Sequence, residues 1–230
     1  MLALWLGPAY RSGMGIASEF AQQVEQLISV RLSEDGFRKS SKGGIFVKDV
    51  APEVLCWVGL NKAGVKETGF EVNLVVGVRH QEVERQVAAL LDEPWDPVIP
   101  PTLATNVGYL SPSGRYLGLS FSRSEDVSVA VGQLCALVLE FGVPFARKLS
   151  QLPELAQALQ EGRYGIPQQS DYRLPVCHLM DGSPVRSAEC VRIKLERVGD
   201  AADPAAARYR HFASKLLARI ADSGEMAKGD

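Results

Sequence analysis

Phe70, Val72, Leu74, Val76 and Val78 stand two residues apart, and Glu71, Asn73 and Gly77 occupy most of the positions between them, with Arg79 next in that alternate series. Successive side chains of a strand point to opposite faces, so the stretch from Phe70 to Arg79 reads as a half-buried strand. Ile45 to Val50 and Val54 to Leu60 alternate in the same way. Asn61-Lys-Ala-Gly64 has the composition of a turn and predicts an antiparallel hairpin between the Val54 and Phe70 strands. Two more strands, Ala104 to Leu110 and Arg115 to Ser122, flank Ser111-Pro-Ser-Gly114 and read as a second hairpin.

Helical spacing surrounds these strands. Phe20, Val24, Leu27 and Ile28 mark a helix over about Ile16 to Leu32 that Gly36 ends, and Val83, Val87 and Leu90 mark another from Gln81 to Leu91. Between the first helix and the first strand, Arg38-Lys-Ser-Ser-Lys-Gly-Gly44 predicts a mobile polar loop. Its lysines lack the order of a phosphate-binding loop. Asp92 to Pro101 is rich in proline and cannot continue a helix. Past Ser124, read as a cap ahead of Glu125 and Asp126, the period is helical throughout. Val127, Val131, Leu134, Val138 and Phe141 form a stripe that Gly142 and Pro144 should stop, and Leu152 to Gln160 is a further helix ending at Gly162. Tyr164 to Ser170 reads as a loop before the segment Arg173 to Met180. Ser187 to Val198 and Pro204 to Ala221 are helices, the latter with Asp203 as its cap.

The pattern therefore predicts an α+β fold: a mostly antiparallel central sheet of about five strands backed by helices, with an additional helical C-terminal region. The expected organisation is a loose leader over 1–13, the sheet core over 14–123, a helical region over 124–222 packed on that core, and a frayed tail over 223–230.

The chain has 230 residues, 46% hydrophobic and 23% charged, with a formal net charge of -2, the composition of an ordinary globular protein. No whole-protein field of that size draws it to nucleic acid or an anionic membrane. Met1-Leu-Ala-Leu-Trp-Leu6 lacks a positive n-region and is too short to span a bilayer, which predicts a cytoplasmic protein without a membrane partner; Met14 offers an alternative start. Cys56, Cys135, Cys177 and Cys190 form no CxxC pair and read as reduced, packed thiols.

Candidate chemistry is sparse. Cys177-His178 with Asp181 (or Asp171) has the residue types of a thiol nucleophile with its base, but neighbouring residues diverge on a strand or helix, so a structural cysteine beside a histidine is the favoured reading. His80, His178 and His211 fall in separate elements without ligand spacing, and neither a metal nor another cofactor is expected. Arg186, Arg192, Lys194, Arg197, Arg208, Arg210, Lys215 and Arg219 make the C-terminal region locally basic. Glu189 and Glu196 interrupt them, and no recognition motif accompanies them, which argues for solvated helix faces over nucleic-acid binding. Asp92, Glu93 and Asp96 surround Trp95 in the proline-rich connector. With Glu71 and Asn73 on the polar sheet face and Trp57 as a second aromatic anchor, they suit a protein-binding surface that meets a cationic partner.

Gly44-Ile-Phe-Val-Lys-Asp-Val50, Val58-Gly-Leu-Asn61 and Phe70-Glu-Val-Asn-Leu-Val-Val-Gly-Val78, in that order, resemble the domain-of-unknown-function family numbered 4304, over residues 14 to 125. Some bacterial members of that family are predicted immunity or interaction proteins encoded near secreted toxins. The resemblance implies a non-catalytic protein-binding module that neutralises a toxin or effector. It carries no catalytic residues, and the helices beyond Ser124 exceed its minimal pattern. The alternatives are a structural adaptor and a hydrolase built from Cys177, His178 and Asp181.

Overall fold

The computed structural model describes residues 14–65, 69–121, 127–164 and 167–226. The leader over 1–13, the cap at Ser124 with Glu125 and Asp126, residues 227–230, and the side chains of Phe20 and Phe70 lie outside that description.

The protein is α+β, with a six-stranded antiparallel sheet backed by helices and a helical C-terminal region. Helix α1 (Met14–Glu34) buries Val24, Ile28 and Leu32, a four-residue spacing that keeps one face on the core. Gly36 takes a left-handed φ of 81°, and the Phe37 amide then reaches back to the Leu32 carbonyl at 3.0 Å, closing the helix end. The loop expected over 38–44 is shorter than predicted. Arg38 and Lys39 form β1 (Arg38–Lys39), paired antiparallel with β2 (Ile45–Ala51) in the register Arg38↔Val47 and Lys39↔Phe46.

Strands β3 (Val54–Val65) and β4 (Gly69–His80) are both longer than the alternation suggested. Asn61 to Gly64, expected to turn, are strand residues, and the Asn61 amide donates to the Asn73 side chain across the pair at 3.1 Å. Cross-strand pairing outweighs the low strand propensity of these residues. Along its other edge β4 meets two short strands, β5 (Leu103–Asn106) and β6 (Leu119–Phe121), the latter in the register Phe70↔Phe121. The sheet order is β1-β2-β3-β4-β5, with β6 also on β4.

The second hairpin does not form, because β5 and β6 each pair with β4. Asn106 supplies the reason. Its side-chain oxygen accepts from the Gly108 and Leu117 amides, both at 2.9 Å, and its amide donates to the Leu117 carbonyl at 3.0 Å. It thereby starts the single turn α3 (Val107–Leu110) and takes over the hydrogen bonding that would have continued the strand.

Two compact units divide the chain, and the division falls inside β2, β3, β4 and β5. The first takes the described residues of 1–48, 58–76 and 106–142. In it, helix α4 (Val127–Leu137) buries Val131, Leu134 and Cys135 and packs on α1. Gly142 and Pro144 do not stop the helix. A π turn over Val138–Gly142 absorbs the missing proline amide, and the chain continues as α5 (Val143–Lys148). By length and composition alone, Val127–Lys148 is the one helical stretch among the described residues able to cross a membrane. Its buried side chains include Val131, Leu134 and Val138.

The second unit takes 49–57, 77–105 and the described residues from 143 onward. Helix α2 (Gln81–Leu91) ends at Asp92, whose left-handed φ of 56° lets the Glu93 amide reach the Ala88 carbonyl at 3.0 Å. Helix α6 (Leu152–Glu161) ends at left-handed Gly162. The loop expected over 164–170 gives way at Pro167 to α7 (Pro167–Met180), which packs on α2, α6 and α8 (Pro184–Val198). Helix α9 (Pro204–Met226) starts as predicted, the Asp203 carboxylate accepting from the Ala205 and Ala206 amides at 2.9 and 3.0 Å. Phe212, Ala213 and Leu216 seal this core, with the Tyr172 ring edge-on to Phe212 at 5.0 Å.

Candidate binding site

One cleft of the second unit, beside the proline-rich connector, has a volume of about 300 Å³. Its floor is built from three ionised side chains that the fold withdraws from water: Arg79 at the end of β4 is 1% exposed, Glu84 on α2 5%, and Arg173 on α7 4%. Glu84 and Arg173 each stand where the helical period places an apolar residue, Glu84 in line with Val87 and Leu91, and Arg173 in line with Val176, Cys177 and Met180. They meet as a two-pronged pair, with Arg173 Nε on Glu84 Oε1 at 2.6 Å and Nη2 on Oε2 at 3.0 Å. Arg79 Nη1 lies 4.0 Å from the same carboxylate. Burial draws the Arg79 pKa down from its ordinary value against the opposing pull of Glu84 and Asp96.

Arg79 also fixes the proline-rich connector. Its Nε donates to Gln81 Oε1 at 3.1 Å, and its two Nη groups donate to the backbone carbonyls of Asp96 and Pro100. The Asp96 carboxylate turns inward and accepts from the Val98 and Ile99 amides at 2.8 and 2.9 Å. A segment with no helix or strand of its own is thus held at Asp96 and Pro100 by one buried guanidinium.

Each expected surface acid has a partner in its own chain. Asp92 is paired with Lys215 and with His211 Nε2, and the hydrogen bonds to these two side chains, Lys215 foremost, hold its carboxyl below the usual carboxylate range. Glu93 receives Arg208 in a two-pronged pair at 2.8 and 2.9 Å. Glu71 accepts from Tyr116 Oη at 2.8 Å, and Asn73 is bonded to Asn61. Glu71 and Asn73 belong to the first unit, and Asp92, Glu93, Trp95 and Asp96 to the second. Trp95 is 41% exposed, with the Arg85 guanidinium 5.2 Å from its ring. Trp57 is corrected. It is buried in the second unit, facing the core rather than a partner, and its indole N–H has no acceptor among the described residues.

Both members of the thiol pair lie inside the second unit. Cys177 is fully buried on α7, and burial pushes its thiol up to about 12. His178 is also buried, and desolvation followed by the Arg186 charge pushes its pKa down. Cys135 and Cys190 are free thiols like Cys177. Among the described residues no group of three or more His, Cys, Asp and Glu side chains could hold a metal ion.

Arg79, Glu84, Tyr172, Arg173 and Arg208 were not singled out together by sequence reasoning, although two of them carry a legible signal in the form of a charge that interrupts an apolar stripe. No protein-family model, curated protein or solved structure matches the chain.

Proposed function

We propose that this protein is a non-catalytic binding module that engages a protein partner through the connector over 92–101 and the cleft beside it. The carrying observation is the rigid presentation of an exposed aromatic side chain: Trp95 stands on a connector clamped by buried Arg79, with Glu93 tied to Arg208 and Asp92 to Lys215. A fixed aromatic anchor beside a preformed concavity loses little conformational entropy on binding, which is how interface hot spots are built. The toxin-neutralising form of this proposal comes from the resemblance to domain-of-unknown-function family 4304.

The experiment is a tagged pull-down from the native cell, quantified by mass spectrometry, with wild type and Trp95→Ala as parallel baits. The reading expects one stoichiometric, saturable partner that the variant fails to retain. A partner held equally by both baits would move the interface elsewhere, and no enriched protein would end the protein-binding reading.

A further inference from the structure

Three consecutive residues fasten the connector over 92–101 and Thr102 just beyond it. Arg79 donates to the Asp96 and Pro100 carbonyls, the His80 amide donates to Thr102 Oγ1 at 2.9 Å, and Gln81 Nε2 donates to the Pro97 carbonyl at 2.9 Å. The Thr102 amide in turn reaches the Val78 carbonyl at 2.8 Å. The middle residue of this run is the one whose charge can change near neutral pH. His80 is 9% exposed, and its Nδ1 is buried without a hydrogen-bond partner among the described residues. A neutral ring tolerates that place as a lone pair on Nδ1, with its proton on Nε2. An imidazolium does not, because both nitrogens then donate and a charged N–H is left buried without an acceptor.

We propose that His80 is a proton-operated latch: a proton on its ring loosens the run from Arg79 to Gln81 and releases the connector, with Trp95 on it, from its fixed position. The proposal rests on the binding reading above only for its use, which is to make the presentation of Trp95 depend on pH. Arg79 precedes the ring on β4. The carboxylates facing it are Glu53, in the turn between β2 and β3, and Glu82 and Glu84 on α2, and all three pull toward protonation. Each is already engaged by a guanidinium, Glu53 and Glu82 by Arg85 and Glu84 by Arg173. Burial is the larger effect and draws the His80 pKa below its ordinary 6.5. The closed latch is therefore unaffected above pH 6.5 and weakens as pH falls below that value, because the opened form takes up the proton first.

Protein labelled with nitrogen-15 carries both readouts. Ring spectra of the wild type should show neutral His80 with its proton on Nε2 and a titration midpoint below 6.5. A proton on Nδ1 of the neutral ring, or a midpoint at or above 6.5, would overturn the proposal. Amide hydrogen exchange is then compared at pH 6.5 and about 5.5, as protection factors, so that the intrinsic pH dependence of exchange cancels. The Val98 and Ile99 amides, which donate to the Asp96 carboxylate, and the Thr102 amide report on the connector. They should be less protected than the amides of buried Phe212 and Leu216, the mark of a local opening. Their protection should fall about three- to fivefold over this interval, near the limit for uptake of one proton. Protection equal to that of Phe212 and Leu216, or the same at both pH values, would overturn the latch.

His80→Asn suits the start of α2, where His80 is the cap residue, and does not titrate in this range, so it should abolish the fall. His178→Asn, at the other buried histidine, should leave it in place. A fall that survives His80→Asn refutes the assignment. Exchange is read on the protein alone, which separates this inference from the binding reading. A missing partner in the pull-down ends that reading and leaves the latch, whereas a connector indifferent to pH ends the latch and leaves the reading.

Discussion

Glu84→Gln is the sharpest test of the buried network, because it keeps the shape of the side chain and changes only its charge and one acceptor. The replacement turns an amide toward Arg173 where a carboxylate oxygen now accepts, losing one of the contacts at 2.6 and 3.0 Å and setting donor against donor. It also withdraws the negative charge that stands 4.0 Å from Arg79. Two unit charges at that distance attract by about 4 kcal/mol at an effective dielectric constant of about 20, an upper bound before desolvation is counted. Breaking one side of a buried pair costs roughly 3–5 kcal/mol. The carbonyls of Asp96 and Pro100 still solvate Arg79, so the lower end, about 3 kcal/mol, is expected. Equilibrium unfolding in urea, read by the fluorescence of Trp57 and Trp95 in the second unit, should show the midpoint falling by about 1 M with the slope unchanged, for a slope near 3 kcal/mol/M. A fall of less than about 0.3 M would refute the claim that Glu84 compensates both guanidiniums. The double replacement Glu84→Leu with Arg173→Met should cost less than Glu84→Gln alone, since it removes one charge of each sign.

Gly77→Ala should be strongly destabilising, by roughly 2–4 kcal/mol in the same urea assay, because the new methyl would stand 2.1 Å from the Leu103 carbonyl oxygen and 2.7 Å from the Ala104 Cα, backbone atoms that cannot step aside without parting β4 from β5. Cys177 and Cys135, both pushed up to about 12 by burial, should resist a thiol reagent at pH 8 in the native protein and react on unfolding, while half-buried Cys190 reacts earlier; rapid native labelling of Cys177, identified by peptide mass, would contradict the packing described. Glu25 is held at about 2, against an ordinary 4.5, first by Lys39 and then by Lys62. Its depressed pKa contributes stability above pH 4.5 that is lost as pH falls toward 2, and its exposed lysine partners limit that contribution to about 1 kcal/mol. Glu25→Gln should therefore narrow the difference in stability between pH 6 and pH 3, and an unchanged difference would show that the pair contributes nothing.

The alternation of Val72, Leu74, Val76 and Val78 and the helical stripes of α1, α2 and α9 determined the α+β class and most of the elements, because burying one face of a strand or helix leaves a period that local sequence records. Asp203 and Gly162 were legible for the same reason, since each acts on its own helix end. What the tertiary structure alone decided involves partners far along the chain. Asn106 diverts the chain from a hairpin by bonding Leu117, Asn61 stays in a strand because Asn73 lies opposite, and a π turn carries the helix past Pro144. The site follows the same rule. Glu84 and Arg173 each appear in sequence as one charge out of place on an apolar stripe, and only the packing of α2 on α7 makes them partners. The carboxylates that looked free, Asp92 and Glu93, are paired with Lys215 and Arg208, more than a hundred residues away, because electrostatic pairing depends on distance in space and leaves no period in the sequence.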